Sequence, residues 1–348
     1  MTIPRVLDRV AALFDPSTLA DLMDRSPVRI VPLGLLGDSG ARFYEVLTGE
    51  PDDETGSPES ARSILKDMRL VADRSPGRAG DERGREAAVL TASELASIHT
   101  LFTSPYRAVA REPGRYALLM DDVAGDLLSH GRGPLPPEAE ARIVDGLARM
   151  HATFWESRKL RRLPWLLDAE GLLDVMGPRE LDDPDDDVRP HVREGWREAL
   201  ARLPEPARTR VRQPAVAIAQ AWRLPETLVH GDTRLTNFAA PGDGLTALDW
   251  GFAGRAPCTF DIGCYLAANA GRLSTDKDVF LATYRVALEG RRGGRFDDGT
   301  WADLEEAGVV CGARMFLWKR AAALVAGGED ADAEWAWWTD RLQRWARR

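Results

Sequence analysis

The chain has 348 residues, 44 % of them hydrophobic, enough for one large domain or two lobes with sizeable cores. Its 46 basic side chains against 55 acidic ones leave a net charge of −9, which argues against nucleic acid or an anionic membrane as a partner. Three cysteines (Cys258, Cys264, Cys311) without a CxxC pair, no apolar leader and no stretch near a membrane span predict a soluble, cytoplasmic protein without structural zinc.

Residues 4–25 carry Val6, Val10, Leu13, Leu19, Leu22 and Met23, the pattern of two short amphipathic helices interrupted at Pro16. Val28 to Leu33 reads as a strand and Phe43 to Leu47 as its return, joined by Gly34-Leu-Leu-Gly37-Asp-Ser-Gly40. A glycine-rich turn lets backbone N–H groups approach phosphates, and it also serves as an ordinary hairpin turn. Gly37-Asp38-Ser39-Gly40 matches the nucleophile motif of trypsin-like proteases as well. There the histidine and aspartate precede the serine, whereas the first histidine here is His99, so no triad assembles in that order.

Beyond a polar loop at 49–60, Ser63 to Leu70 alternates as a strand, with Ile64, Lys66, Met68 and Leu70 on one face. A charge on an apolar face is costly unless it is paired or snorkels at an edge. Only four of the 46 basic residues are lysines (Lys66, Lys159, Lys277, Lys319). A chain so partial to arginine keeps a compact point charge at Lys66, where a planar fork would not substitute. The next helix, Arg83 to Ser97, aligns Glu86, Val89, Leu90 and Ser93, and Glu82, Glu86 and Glu94 are the acids that could meet the lysine. Val109 and Tyr116 to Met120 read as two further strands, broken by Asp121-Asp122-Val123-Ala124-Gly125.

From Pro137 the chain turns helical, and Ile143, Leu147, His151 and Phe154 form a stripe that makes His151 a core histidine. Residues 160–225 are mostly helical with proline breaks and include an acidic loop at 180–187. Then come His230-Gly231-Asp232-Thr233-Arg234-Leu235-Thr236-Asn237, a turn at Pro241 to Gly244, a returning strand Leu245 to Leu248, and Asp249-Trp250. Counted from the turn, Asn237 and Asp249 lie about equally far down the two arms, so a paired hairpin would set them roughly 5 Å apart. One carboxylate to receive a proton, with an amide oxygen and a second carboxylate for hard cations, suits phosphoryl transfer with magnesium. A helix follows from Ile262, and Trp335, Trp338, Leu342 and Trp345 form a final core stripe.

Asp-x4-Asn followed by a further aspartate, with His-Gly in front of Asp232 and Trp after Asp249, resembles the aminoglycoside phosphotransferase and choline kinase-like family of small-molecule kinases. The resemblance implies an α+β, two-lobed protein-kinase-like fold. Residues 1–122 would form a nucleotide-binding lobe of leading helices, a five-stranded antiparallel sheet and an αC-like helix. Residues 123–348 would form a larger helical lobe with catalytic loop and acceptor site. It further implies Lys66 on the phosphates with Glu86 as its partner, Gly37 and Gly40 in a nucleotide lid, and Met120, Asp122 and Val123 at the hinge beside the purine. Asp232 would be the catalytic base, Asn237 and Asp249 the Mg2+ ligands, and Asp261 a brace for the catalytic loop, although capping of the following helix would also explain it.

The expected donor is ATP or GTP. The expected acceptor is a hydroxyl of a small polar molecule, an aminoglycoside-like antibiotic or, alternatively, a metabolite such as a sugar or amino alcohol. A protein kinase fits less well, with HGD in place of HRD and only the short stretch 250–260 between Asp249 and Asp261. A non-catalytic nucleotide-binding regulator would more often lack one of the four polar groups. The net acidity and the aspartates at 182–187 lead us to expect a cationic acceptor.

Overall fold

The computed structural model describes residues 3–25, 28–36, 40–48, 62–70, 81–175, 177–178, 190–213, 219, 221–328 and 330–346. The chain divides into a sheet unit, residues 1–127 with 239–251, and a helical unit, residues 128–238 with 252–348. Residues 239–251, which the sequence reading assigned to the second lobe, therefore belong with the first.

The sheet unit contains β1 (Arg5–Leu7), β2 (Val28–Leu36), β3 (Arg42–Thr48), β4 (Arg62–Arg69), β5 (Tyr106–Glu112) and β6 (Arg115–Asp121), in the order β1-β5-β6-β4-β3-β2. The β2 to β6 pairings are antiparallel, as expected, but β1 adds a sixth strand parallel to β5. The leading segment is thus not two helices. Arg5–Leu7 completes the edge beside β5, Val10–Phe14 forms a 3-10 turn, and only α1 (Pro16–Met23) is α-helical. Pro16 begins α1 rather than interrupting a helix, because Asp15 caps it by accepting from Thr18 N at 2.9 Å. Val10, Leu13, Leu19 and Met23 pack with Val46, Leu65, Ala108 and Leu119 into one buried cluster. Burial of such side chains stabilises by roughly 1.5–3 kcal/mol each.

β4 is buried on both faces, because Leu65 enters that cluster while Lys66 and Met68 point the other way. On that side, the expected helix of 15 residues is broken into α2 (Arg85–Thr91), a 3-10 turn at Ser93–Leu95 and a short turn at Ile98–Leu101. Gly84, with φ of +69°, starts α2, and a Cβ there would stand 2.6 Å from the Tyr116 ring. No larger residue fits without moving Tyr116.

The helical unit is built on α3 (Pro137–Thr153), α4 (Ala169–Asp174), α5 (Pro190–Arg202), α6 (Glu205–Arg212), α7 (Thr259–Ala268), α8 (Lys277–Arg292), α9 (Asp298–Val325) and α10 (Ala331–Ala346). β7 (Thr227–Val229) pairs antiparallel with β10 (Gly254–Ala256), whereas β8 (Phe238–Ala239) and β9 (Thr246–Ala247) form the hairpin. The middle of α9, Glu306 to Leu317, is buried on every side, as befits a helix enclosed by others. It meets α7 backbone to backbone. A Cβ on Gly263 would lie 1.7 Å from Gly308 O, and one on Gly312 would lie 2.2 Å from Gly263 O. Buried Arg314 of α9 donates to Leu173 O at 2.6 Å and to Val211 O, satisfying carbonyls at the C-terminal ends of α4 and α6. The helix of α7 starts at Thr259, three residues before the expected Ile262. No helix among the described residues is long and apolar enough to cross a membrane.

Candidate active site

In the sheet unit, Lys66 lies opposite Phe43 and Leu118 in the ladder and is only 5 % exposed. Its Nζ donates to Glu86 Oε2 at 2.7 Å and to Asp249 Oδ1 at 3.1 Å. Of the three acids that the sequence left open, Glu86 is therefore the partner on α2. Tyr116 from β6 donates its hydroxyl to the same Glu86 oxygen at 2.9 Å and fixes the carboxylate from the other side. Burial works against the ammonium of Lys66, but Asp249 and Glu86 outweigh it and hold its pKa above the ordinary value. Burial likewise pushes Glu86 up, with Lys66 pulling it back. Such a pair is stable only while both partners remain, since a lone buried charge costs about 3–5 kcal/mol.

The neighbouring Arg85 is also buried. Its backbone N–H donates to Asp81 at 2.7 Å, and its guanidinium donates to Gly251 O at 2.6 Å, just past Asp249. Nothing in the sequence singled out Arg85 or Tyr116. Asp249 itself follows β9 with φ of +57°, a left-handed backbone that a non-glycine residue adopts at some cost. Of the lid glycines, Gly40 has φ of +77°, and Gly37 lies outside the described residues. Met120 sits within β6 between Ile64 and Tyr106. Asp122 takes an ion pair from Arg62 at 3.0 Å and accepts from Ala124 N at 2.9 Å, and Val123 follows as the strand ends.

In the helical unit, the loop from His230 to Asn237 is held by Asp261 in the first turn of α7. Asp261 Oδ2 accepts from His230 N and Oδ1 from Gly231 N, both at 2.8 Å, while its carbonyl accepts from Thr233 Oγ1 at 2.7 Å. Cys258, not Asp261, is the N-cap residue of α7, so the carboxylate serves the loop. His151 of α3, fully buried, stands between Asp261 Oδ2 (3.1 Å from Nε2) and the Tyr284 hydroxyl (2.6 Å from Nδ1). The carboxylate can only accept, so Nε2 carries the proton and Nδ1 takes that of Tyr284. The core-histidine reading of His151 thus describes its setting, with the addition that it orients Asp261. Asn269 completes the cradle, accepting from Leu235 N and donating to Thr233 O, each at 3.0 Å. Gly231 has φ of +79°, and a Cβ there would be 2.1 Å from Phe252 O, so only glycine fits.

Asp232 is 2 % exposed, and Asn237 donates its amide to the Asp232 carbonyl at 2.9 Å, while its Oδ1 accepts a long hydrogen bond from Thr236 Oγ1 at 3.5 Å. Asn237 closes a 3-10 turn at Leu235–Asn237 and is not on a paired arm, so the hairpin ladder does not extend to Asn237 and Asp249 as the counting argument had it. The arm is short because the tight turn leads straight into β8. Arg234 also engages Asp232, Nε to Oδ1 at 2.7 Å and Nη2 to Oδ2 at 2.6 Å. The sequence reading passed over Arg234, although its place two residues after the aspartate was visible. The acidic loop at 180–187 lies outside the described residues.

Among the described residues no group of three or more His, Cys, Asp or Glu side chains could hold a metal. An amide oxygen and one carboxylate are nevertheless the sparse, hard donor set with which Mg2+ is held when phosphates and waters supply its other ligands. Asn237 and Asp249 fit that requirement by type.

The family model of the phosphotransferase enzyme family (APH) matches residues 38–301. No curated protein matches the chain. Among solved structures, the chain is similar to the choline kinase LicA from Streptococcus pneumoniae, at 12 % identity over 94 % of this chain and 97 % of that one, with a TM-score of 0.46. It is also similar to the aminoglycoside phosphotransferase APH(3'')-Id from Streptomyces rimosus in complex with ADP and streptomycin, at 16 % identity over 78 % and 94 % of the two chains, with a TM-score of 0.39. An aminoglycoside-3'-phosphotransferase of type VIII gives 16 % identity over 86 % and 97 %, with a TM-score of 0.42. The family match spans well over half of the chain and includes Lys66, Glu86, Asp232, Asn237 and Asp249, so the chain, an α+β protein, belongs to the APH phosphotransferase enzyme family.

Proposed function

We propose that the protein transfers the γ-phosphoryl group of ATP or GTP to a hydroxyl of a small polar molecule. The observation that carries this reading is the buried Lys66–Glu86 pair with Asp249 on the same ammonium. A folding core gains little from such a pair, whereas a phosphate site needs a fixed cation there. Lys66, held by Glu86 and Tyr116, positions the α- and β-phosphates. Gly40, with φ of +77°, leads into β3 where a phosphate lid would lie, the lid's Gly37 being outside the described residues, and Met120, Asp122 and Val123 border the purine. Asp232 orients the acceptor hydroxyl and takes its proton, while the Asp261–His151–Asn269 cradle keeps the loop from shifting. Asn237 and Asp249 would supply oxygen ligands to Mg2+, which when bound would neutralise charge on the transferred phosphoryl group.

The acceptor could be an aminoglycoside-like antibiotic, giving resistance, or a metabolite such as a sugar or amino alcohol. The cationic acceptor drawn from overall acidity rests in part on a loop outside the described residues. The three free, buried cysteines suit the reducing cytoplasm, where we place the protein. Incubation with ATP or GTP, MgCl2 and a panel of hydroxylated metabolites and antibiotics tests the proposal. Mass spectrometry should show one added phosphoryl group on an acceptor, lost in Asp232→Ala. Transfer that persists in that variant would remove Asp232 from the mechanism.

A further inference from the structure

Two tyrosines share the face of the sheet from which Lys66 projects, and their hydroxyls are used differently. In the ladder Lys66 lies opposite Leu118, Met68 opposite Tyr116 and Ile64 opposite Met120, so Tyr116 and Met120 point to the same side as Lys66. Tyr106 of β5 pairs with Met120, and the register slips by one residue between Tyr106 and Ala108. Without that extra residue Tyr106 would pair with Asp121 and point to the opposite face. The bulge turns it onto the Lys66 face. The chain just before Tyr106 is fixed to the strand that leads to Asp249, because Thr103 N donates to Leu245 O at 2.8 Å and Thr246 Oγ1 to Thr103 O at 2.9 Å. The rungs of Tyr116 and Tyr106 thus flank the rung of Lys66.

Tyr116 donates its hydroxyl to Glu86 Oε2, the atom that also takes Lys66 Nζ. Tyr106 is 2 % exposed, yet its hydroxyl makes no hydrogen bond with a described residue. Such a group is destabilising where it stands, and a phenylalanine would fill the space without that cost. Burial, then the charges of Glu86 and Asp249, push the phenol well above its ordinary pKa, so it keeps a proton to donate. Lys66 shares its ammonium between Glu86 at 2.7 Å and Asp249 at 3.1 Å, and phosphates compete for the same N–H donors. What a phosphate gains from Lys66, the buried Glu86 carboxylate loses in countercharge.

We propose that Tyr106 is a positioning residue for nucleotide binding: as Lys66 turns toward the phosphates, the Tyr106 hydroxyl donates to the Glu86 carboxylate, which two phenols then hold in place. The inference rests on the kinase reading of Lys66 and assigns Tyr106 a bond made only with phosphate present.

Tyr106→Phe keeps the ring and removes the hydroxyl alone. Calorimetry with the full-length protein and MgCl2 measures binding of the β,γ-imido analogues of ATP and GTP. Adenosine and guanosine, which lack phosphate, are measured by displacement of the tighter analogue. Without nucleotide, the urea midpoint of Tyr106→Phe should equal or exceed that of wild type. The Kd of the triphosphate analogue should rise about tenfold, the weight of a hydrogen bond to a charged group. Nucleoside affinity should stay the same, since no phosphate competes for Lys66. Tyr116→Phe, which breaks a bond already formed, should instead lower the midpoint of the nucleotide-free protein.

An equal analogue Kd in wild type and Tyr106→Phe overturns the inference and leaves the kinase reading standing. A loss that the nucleosides share in full also overturns it, by placing Tyr106 against the base. A midpoint lowered in Tyr106→Phe as far as in Tyr116→Phe overturns it too, because the hydroxyl would then serve the fold. Wild-type protein that binds neither analogue overturns the inference and the kinase reading together.

Discussion

The sheet unit and the helical unit each hold a buried charge, and they hold it by different means. In the sheet unit Lys66 is balanced by two carboxylates, so charge meets charge through side chains from β4, α2 and the stretch after β9. In the helical unit Asp261 is balanced by backbone N–H groups of His230 and Gly231 and by His151, with no lysine or arginine among these partners. The first arrangement places a cation that can be offered to phosphate. The second fixes the path of a loop. A paired charge is strong but can be redirected to a ligand, whereas a carboxylate tied to main chain can only be kept or lost with the loop.

The sharpest way to break this contrast is to remove a group that acts from within the cradle without supporting it. Asp232→Ala should lower kcat by roughly 10²–10⁴, the usual weight of a general base, with nucleotide affinity and far-UV circular dichroism unchanged. Loss of nucleotide binding in that variant would mean that the two units do not divide the work as described. Asp261→Ala should instead cost stability. It strands two buried N–H groups and His151, for about 3 kcal/mol or more by urea denaturation. A cost below 1 kcal/mol would show that the loop does not depend on the carboxylate.

The packing behind Asp261 gives a third test. Gly263→Ala pushes a methyl group into the Gly308 carbonyl and should destabilise by about 1–3 kcal/mol, with activity falling because α7 carries Asp261. On the sheet side, Lys66→Arg should retain the fold but lower kcat/KM for ATP about tenfold, or about 1.4 kcal/mol. Wild-type kinetics in Lys66→Arg would assign the lysine to packing alone.

The smallest expected effect is one of pH. Burial holds His99, whose Nε2 lies 3.1 Å from Leu90 O, below its ordinary pKa. The unfolded chain then takes up a proton that the folded sheet unit refuses. Stability from this source is present above about pH 6.5 and falls as the solution is acidified below it. Urea midpoints at pH 7.5 and 5.5 should differ less in His99→Gln than in wild type.

Legibility in the sequence followed the same division. Lys66 could be found because a lone lysine on an apolar strand face in an arginine-rich chain is hard to explain by packing. Asp232, Asn237 and Asp249 stood out because their spacing is local. β4 was visible through period-two alternation, and β2, β3, β5 and β6 as apolar segments beside turn residues, whereas β1 was not, since three residues are too few for a period and its partner β5 lies about a hundred residues away. The helix expected over 83–97 broke after Thr91 because neighbouring structure, not periodicity, decides where a short helix ends.

What the sequence by itself determined was which residue types stand close together along the chain: a lone lysine on an apolar strand, two aspartates and an asparagine at short spacing, and the glycine that lets the loop turn. Tertiary structure alone decided which acid meets Lys66, that Tyr116 and Asn269 take part, that α7 and α9 touch through Gly263, Gly308 and Gly312, and that Arg234 is folded onto Asp232. The physical reason is range. Residue type and local spacing record what a side chain can do, but partners 20 to 180 residues apart are selected by burial, where an unmatched charge or N–H is too costly to leave.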